Sequence, residues 1–235
     1  MTTVQEVAGG DAALDAPVWS SLTGAHRALG EVRGRAGRYD PEVSPFAAVA
    51  PDAGADGLAD LGALVGPGGR AVVAFLGGEP PGGWVVELDR PGVQMVGTRL
   101  EVAPDPEALT LGPADVPEML DLVGRTQPGP FLARTVEFGG YLGFRHRGAL
   151  VAMAGERLRP PGYTEISAVC TDAAHRHHGL ASRLVRAVGA TIRSRGETPI
   201  LHAAATNVGA IGLYESLGFE LRRQVDFRLL RAPGS

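Results

Sequence analysis

The stretch Arg176-His177-His178-Gly179-Leu180-Ala181 decides the fold, because it joins a predicted strand, Glu165–Thr171, to a predicted long helix, Gly179–Arg195. The apolar residues of that helix recur at spacings of three and four, the period of an amphipathic helix. A helix start presents backbone N–H groups without intrahelical partners and the positive end of the helix dipole. A glycine there lets a phosphate approach the backbone, and Arg176 adds a fixed positive charge. The stretch therefore predicts a cradle for a pyrophosphate.

Two common phosphate-binding loops do not fit this stretch. A Walker loop requires Gly-Lys-Ser/Thr, and the dinucleotide fingerprint requires three glycines. Neither pattern is present around Arg176. A nucleotide-binding protein of another class is therefore the weaker interpretation.

The residues around this stretch predict a mixed sheet with helices on its faces. The predicted order after residue 107 is β-α-β-β-β-α-β-α-β-β, an α/β (α+β) arrangement. Besides the two elements above, its members are the strand Leu109–Leu111, the helix Pro113–Thr126, the hairpin Tyr141–Arg145 with Ala149–Arg157, the strand Pro199–Ala204, the helix Asn207–Leu217 with Asn207 as its cap, and the strands Phe219–Leu221 and Val225–Leu230.

The first half of the chain carries no catalytic motif. We predict helices over Asp15–Val32 and Gly54–Leu64, a strand over Ala71–Leu76, and a strand pair, Gly83–Leu88 and Val93–Val96, joined across Asp89-Arg90-Pro91-Gly92. Trp19, Tyr39 and Trp84 either belong to the core, the commoner case, or line a ligand cavity. The acidic, proline-containing stretch Glu101–Glu107 suggests a linker, so we divide the chain into domains 1–102 and 103–235.

Composition excludes several classes of protein. The 235 residues are 44% hydrophobic, which is enough for a packed core, and the net charge is −4. Residues 1–106 carry 7 arginines and 14 acidic residues, whereas residues 107–235 carry 15 arginines and 12 acidic residues. The mildly basic second half suits an anionic small ligand but lacks the strong basic stripe of a nucleic-acid partner. One cysteine, Cys170, excludes a disulfide framework and a cysteine-rich zinc site.

The beginning of the sequence predicts no targeting segment. The first 25 residues carry three acidic residues and no arginine, and they lack the apolar stretch of a signal peptide. No apolar run is long enough to cross a membrane. We therefore expect a cytoplasmic protein without a membrane partner.

Three further features give the Arg-x-x-Gly-x-Ala string its meaning. The strand Ile166–Thr171 precedes it, Asn207 follows Arg176 by 31 residues, and then comes Ala210-Ile211-Gly212-Leu213-Tyr214-Glu215-Ser216-Leu217-Gly218-Phe219. Together they resemble the GNAT superfamily of acyl-CoA N-acyltransferases, in the branch similar to the C-terminal domain of glycine N-acyltransferases. The resemblance covers about residues 109–231. It implies a GNAT fold that uses acetyl-CoA as co-substrate and needs no metal.

The resemblance also implies which residues hold acetyl-CoA. The segment Val169-Cys170-Thr171 would contact the pantetheine arm through the backbone groups of Val169 and Thr171, as an added strand does. A separation between this strand and Pro199–Ala204 would admit that arm. The pyrophosphate would lie on the backbone of Arg176, His177, His178, Gly179, Leu180 and Ala181, with Ser182. Asn207 would touch the pantetheine, and the N–H of Val169 would polarise the thioester carbonyl.

Two catalytic residues follow from the same resemblance. Tyr214 matches the tyrosine that protonates the departing thiolate. Glu165, 11 residues before Arg176, matches a general base that deprotonates the amine directly or through water. Glu156 is the rival base. An acyl-cysteine at Cys170 and a metal cluster of His175, His177 and His178 are the less favoured alternatives.

Several points stay open in the sequence. His177 and His178 stand where relatives often have a small residue and an arginine or lysine, so acetyl-CoA should bind more tightly at lower pH. The expected acceptor is a small amine or an amino acid, with Thr126–Thr135 near it. The first domain suggests a degenerate GNAT-like copy that forms one wall of the acceptor pocket, or else a structural lid. The alternative to an N-acetyltransferase is a non-catalytic acyl-CoA sensor or scaffold.

Overall fold

A computed structural model of the protein describes residues 11–74, 80 and 82–234. Its helices are α1 Asp11–Asp15, α2 Pro17–Leu22, α3 Gly54–Val65, α4 Val116–Thr126, α5 Leu180–Ser194 and α6 Val208–Ser216. Its strands are β1 Gly30–Arg33, β2 Ala36–Tyr39, β3 Phe46–Val49, β4 Arg70–Ala74, β5 Val85–Val96, β6 Leu109–Thr110, β7 Leu142–His146, β8 Ala149–Glu156, β9 Tyr163–Thr171, β10 Thr198–Ala204 and β11 Glu220–Arg231.

All of these strands join into one mixed sheet. The spatial order is β1-β2-β3-β4-β11-β5-β10-β9-β8-β7-β6. Only β3 with β4 and β9 with β10 run parallel, each pair connected through a helix, α3 or α5. The expected mixed sheet with flanking helices is confirmed.

The two halves of the sheet show the same sequence of strand pairings when each is followed from its edge to the centre. Each half begins with antiparallel strands, continues with a parallel pair joined by a helix, and ends with one further antiparallel strand. The innermost strands are exchanged: β11, from the end of the chain, pairs with β4, while β5, from the first half, pairs with β10. Strands β5 and β11 also pair with each other along most of their length. The sheet thus runs across the predicted domain boundary at 102/103.

The second half matches the predicted elements closely. The helices over 113–126, 179–195 and 207–217 are present within a few residues, and Asn207 Oδ1 accepts a hydrogen bond from Ala210 N as the predicted cap. The predicted hairpin turns at Arg147 and Gly148, which have φ of 50° and 86°. The two short strands predicted over 219–230 are a single strand, β11, with an irregularity between Leu221 and Arg223.

The first half corrects two predictions. The helix predicted over Asp15–Val32 ends at Leu22, and the residues after it enter β1 instead. The strand pair predicted around Asp89–Gly92 is one continuous strand, β5, because β11 pairs with it through that whole segment. Pro91 is tolerated there because β10 pairing covers only 92–96 of β5, so the sheet is incomplete beside the proline. Residues 75 and 76 of the predicted strand Ala71–Leu76 lie outside the described residues.

The segment predicted as a linker, 101–107, packs along helix α5. The Arg183 guanidinium donates to the Asp105 carboxylate at 2.7 and 2.9 Å. A Cβ built at Gly189 would lie 2.7 Å from Leu100 Cδ2 and 3.1 Å from Val102 Cγ1. The segment is therefore fixed against α5 by an ion pair and by close packing.

We predict that Gly189→Val lowers the free energy of unfolding by about 1–3 kcal/mol, because the new methyl groups would overpack the contact with Leu100 and Val102. Gly212→Val is the matched control. Gly212 is also a helical glycine, in α6, but a Cβ built there meets nothing within 4 Å. Urea denaturation of both variants measures the difference. Equal stability of the two would contradict the packing of 101–107 on α5.

Candidate functional site

Strands β9 and β10 separate midway along their length. Their parallel pairing covers only Tyr163–Glu165 with Thr198–Ile200 and then stops. Beyond that point β9 bulges, since Ala168 has φ of 52° and the β8–β9 register shifts between Ser167 and Cys170. The separation predicted from the sequence is therefore present, and β9 from 166 to 171 is free on its β10 side to pair with an added chain.

The loop between β9 and α5 is held in a defined shape. Asp172 Oδ1 accepts from Ala174 N at 2.9 Å, and Arg125 of α4 forms an ion pair with the Asp172 carboxylate. His177 and Gly179 have φ of 64° and 73°, in the left-handed region. A Cβ at Gly179 would meet nothing within 4 Å, so open space lies over the start of α5. The first N–H groups of that 15-residue helix have no intrahelical acceptors.

A cavity of about 860 Å³ connects the separated strands to this loop. Among the predicted cofactor residues, His178 is the one outside its lining; those that line it are Val169, Cys170, Thr171, Arg176, His177, Gly179, Leu180, Ala181, Ser182 and Asn207. Tyr214 lines it too, whereas Glu165 and Glu156 do not. The cavity continues past the strands to residues of the first half, including Phe46 and Val72, and it includes Thr126–Pro130 of the predicted acceptor loop.

The described lining of the cavity is electropositive. It contains Arg90, Arg157 and Arg176 but no aspartate or glutamate. Positive charge, an open helix N-terminus and unpaired strand backbone match the phosphates and the amide-rich arm of acetyl-CoA. The residues present therefore fit acetyl-CoA. In the described ranges no three His, Cys, Asp or Glu side chains come together as a metal site.

Tyr214 sits at the cavity wall near the end of α6. Its side chain is buried among the core residues of the second half and contacts the Phe219 ring edge-on, with 5.9 Å between centroids. Burial raises the pKa of Tyr214 to about 12. The phenol is therefore protonated throughout the neutral range and is able to donate a proton. Cys170 is also buried, and burial raises the pKa of its thiol, which disfavours a nucleophilic role.

Glu165 lies behind the cavity wall in a buried cluster. Arg157 Nε and Nη2 donate to its carboxylate at 2.9 and 2.5 Å, and His202 Nδ1 lies 2.7 Å from Oε1. Its side chain is 0% exposed. Burial alone would raise the pKa of Glu165, but Arg157 and His202 outweigh it and hold the pKa well below its usual range. The general-base role of Glu165 stays a prediction, and this geometry does not bring the carboxylate into contact with an amine in the cavity.

Gln94 fixes the orientation of His202. Arg222 Nη1 donates to Gln94 Oε1 at 2.7 Å, so the amide nitrogen faces His202 Nε2 at 3.0 Å. Because that nitrogen donates, His202 Nε2 accepts and the ring proton sits on Nδ1, toward Glu165. The same amide nitrogen donates to Leu14 O of α1 at 2.9 Å, which joins the cluster to the start of the described chain.

Sequence reasoning missed Arg90, Arg157 and His202. Arg157 follows a strand by one residue and lies opposite Glu165 across a hairpin, a relation visible only once the pairing is known. The rival base, Glu156, accepts hydrogen bonds from Arg195 Nη1 and Nη2 at 3.0 and 2.9 Å. Neither residue lines the cavity. Trp19, Tyr39 and Trp84 belong to apolar clusters of the first half and do not line the cavity, so the core interpretation of these aromatics is correct.

Comparisons with known proteins identify similar chains. The family described as FR47-like protein matches residues 141–228. A protein from Novosphingobium aromaticivorans DSM 12444, assigned to the GNAT family of acetyltransferases, is 41% identical with a TM-score of 0.85, over 94% of this chain and 99% of that one. A GCN5-related N-acetyltransferase from Kribbella flavida shares the fold at 21% identity and a TM-score of 0.63, over 97% and 98% of the two chains. The sequence matches no protein of curated function.

None of the described helices combines the length and the apolar character that a membrane span requires.

We predict that Glu165→Gln lowers the free energy of unfolding by about 3–5 kcal/mol at neutral pH, because it leaves the Arg157 charge buried without its partner. Glu137→Gln, in an exposed pair with Arg134, should cost about 1 kcal/mol or less. Since the pKa of Glu165 is lowered on folding, its stabilisation is present above about pH 4.5 and is lost as pH falls below that value. Urea denaturation of both variants at neutral and acidic pH is the measurement, and equal losses would refute the buried pair.

Proposed function

The chain belongs to the GNAT family of acetyltransferases, and we propose that it is an N-acetyltransferase that moves an acetyl group from acetyl-CoA to a primary amine by direct attack in a ternary complex. The observation that carries this proposal is the separation of β9 from β10 beside the open start of α5. Acetyl-CoA supplies the acetyl group as an activated thioester. A small-molecule acceptor, a cytoplasmic location and membership of the branch similar to glycine N-acyltransferases belong to the same proposal.

The proposed contacts with acetyl-CoA follow the cavity lining. The backbone N–H groups from Arg176 to Ser182 hold the pyrophosphate at the helix start. The β9 backbone at 169–171 pairs with the pantetheine arm, since β10 no longer pairs with it there. The Val169 N–H, beside the bulge at Ala168, polarises the thioester carbonyl. Asn207 uses Oδ1 to cap α6, so its amide nitrogen is the group left to touch the arm.

Tyr214 is the proposed proton donor to the departing thiolate. It lines the cavity on α6, close in the chain to Asn207, and its phenol is protonated at neutral pH. A positioned general acid of this kind contributes about 10²–10⁴-fold to turnover. Glu165 is the proposed general base through water, because its carboxylate lies behind the cavity wall, where Arg157 and His202 hold it.

The first half is proposed to be a degenerate GNAT-like copy that forms one wall of the acceptor end. Its unit β3-α3-β4 corresponds in topology to β9-α5-β10. Asp52 and Asp56 flank the start of α3. Their negative charges would repel a phosphate there, so we do not propose a second pyrophosphate site in the first half. Phe46 and Val72 from the same unit line the cavity.

The second candidate is a non-catalytic acyl-CoA sensor or scaffold. The observation in its favour is that Glu165 is enclosed by Arg157 and His202, so the described cavity lining offers no carboxylate base. Titration with acetyl-CoA, followed by an amine screen that measures free thiol, separates the two candidates. Binding of acetyl-CoA without thiol release from any amine would favour the sensor, and no binding by the folded protein would exclude both.

We predict that Tyr214→Phe lowers turnover by about 100- to 10,000-fold, because the variant cannot protonate the thiolate. The dissociation constant of acetyl-CoA should stay within about twofold, since the ring remains. Tyr163→Phe is the matched control, because Tyr163 is on β9 outside the cavity lining. Steady-state kinetics with thiol detection gives the comparison, and equal turnover of both variants would rule out Tyr214 as the acid.

A further inference from the structure

The far end of the cavity, beyond the separated strands, combines apolar walls with two arginines. Phe46 and Val72 come from the first half, and Phe227 and Leu229 come from β11. Arg157 and Arg90 are the charged members of this acceptor end. Strand exchange between the halves brings these elements together, so the acceptor end is a shared construction of both halves.

Arg157 lines the cavity, and its guanidinium is only partly used in hydrogen bonds. Its Nε and Nη2 are taken by Glu165, and its guanidinium carbon lies 5.0 Å from the centre of the Phe46 ring. Its side chain is only 10% exposed, yet it lines the cavity. Nη1 has no hydrogen-bond acceptor among the residues that the structure describes. A rigid, buried guanidinium with an unused N–H edge is suited to a carboxylate.

Arg90 adds a second positive charge to the cavity lining. It is exposed on β5, opposite Phe227 of β11, and it forms no ion pair within the described part of the chain. Two guanidinium groups against the single carboxylate of Glu165 leave one excess positive charge. That excess matches one carboxylate on a ligand.

We propose that the acceptor is a primary amine that carries a carboxylate and an apolar body, as a free amino acid with an apolar side chain does. The carboxylate binds Arg157 Nη1 and Arg90, and the apolar body packs against Phe46, Val72, Phe227 and Leu229. The transfer step rests on the proposed function, whereas binding of the carboxylate does not.

The transfer step itself proceeds as in the proposed function. The ammonium group of the bound acceptor first loses one proton to water. The amine lone pair then attacks the thioester carbon, the nitrogen gives up a second proton to water, and the carbon–sulfur bond breaks as the amide forms. The departing sulfur takes up a proton, which Tyr214 donates and regains from water.

The test compares three ligands of one shape. The protein, saturated with CoA, is titrated calorimetrically with L-leucine, leucinamide and isopentylamine, which share the apolar body and differ in the carboxylate. We expect leucine to bind at least about tenfold more tightly than the other two, the effect of a charge-assisted hydrogen bond. Equal binding of the three, or no binding of leucine, would overturn the proposal.

Variants locate the carboxylate. Arg90→Gln should weaken leucine binding by about threefold to tenfold while leaving acetyl-CoA binding unchanged, and Arg33→Gln, exposed on β1 away from the cavity, should change neither. Arg157→Lys, which keeps the charge but loses the forked donor edge, should weaken leucine binding further. If that variant does not fold, Arg90→Gln still decides, and unchanged leucine binding in Arg90→Gln would overturn the proposed carboxylate site.

Thiol release with the same three ligands separates this proposal from the proposed function. Release with leucinamide or isopentylamine at rates equal to leucine would support acetyl transfer but refute carboxylate recognition. Selective binding of leucine with no thiol release from any amine would support carboxylate recognition but refute the transferase.

Discussion

The fork between β9 and β10 is the constraint on which the rest of the structure depends. A parallel strand pair at the centre of a sheet must keep its backbone groups partnered, so separating it needs both a reason for the pairing to stop and a clamp where it stops. Glu165 is the last paired residue of β9, and His202 of β10 lies two residues beyond Ile200, the end of the pairing. Their side chains meet at 2.7 Å across the opening, and Arg157 ties the same carboxylate to the hairpin from β8. The buried cluster of Glu165, Arg157 and His202 thus links β9 and β10 at the point where their pairing ends.

Strand exchange solves a second problem that the fork creates. Strand β10 has lost β9 as a partner over its last residues, and it stays ordered because β5 pairs with it along its other side, from Ile200 to Ala204. Strand β5 is in turn held by β11 over nearly its full length. The same exchange brings Phe227 and Leu229 of β11 beside Phe46 and Val72 of the first half. Stability of the fork and formation of the acceptor end are therefore two results of one topology.

The sequence predicted the parts of the fold that depend on local pattern. The period of α5, the cap at Asn207 and the glycine at the helix start are local signals, and most of the predicted acetyl-CoA residues do lie together in one cavity. Local sequence patterns gave the wrong secondary structure where pairing with a distant strand determines it. Asp89-Arg90-Pro91-Gly92 has turn composition, yet β11, more than 120 residues later, keeps it extended. Strands β1, β2 and β3 were missed because each is only four residues long, too short for a period to emerge.

Glu165 shows why spacing alone does not assign a role to a carboxylate. Its distance in sequence from Arg176 predicts its position on β9 correctly, but the role of a buried acid depends on partners that sequence spacing does not reveal. Arg157, just after β8, and His202 of β10 enclose its carboxylate and lower its pKa. Glu165 pairs with Arg157 behind the cavity wall, and the described lining itself carries arginines but no carboxylate. In the proposed function, the cluster that closes the fork between β9 and β10 therefore also sets the charge of the cavity end where the acceptor would bind.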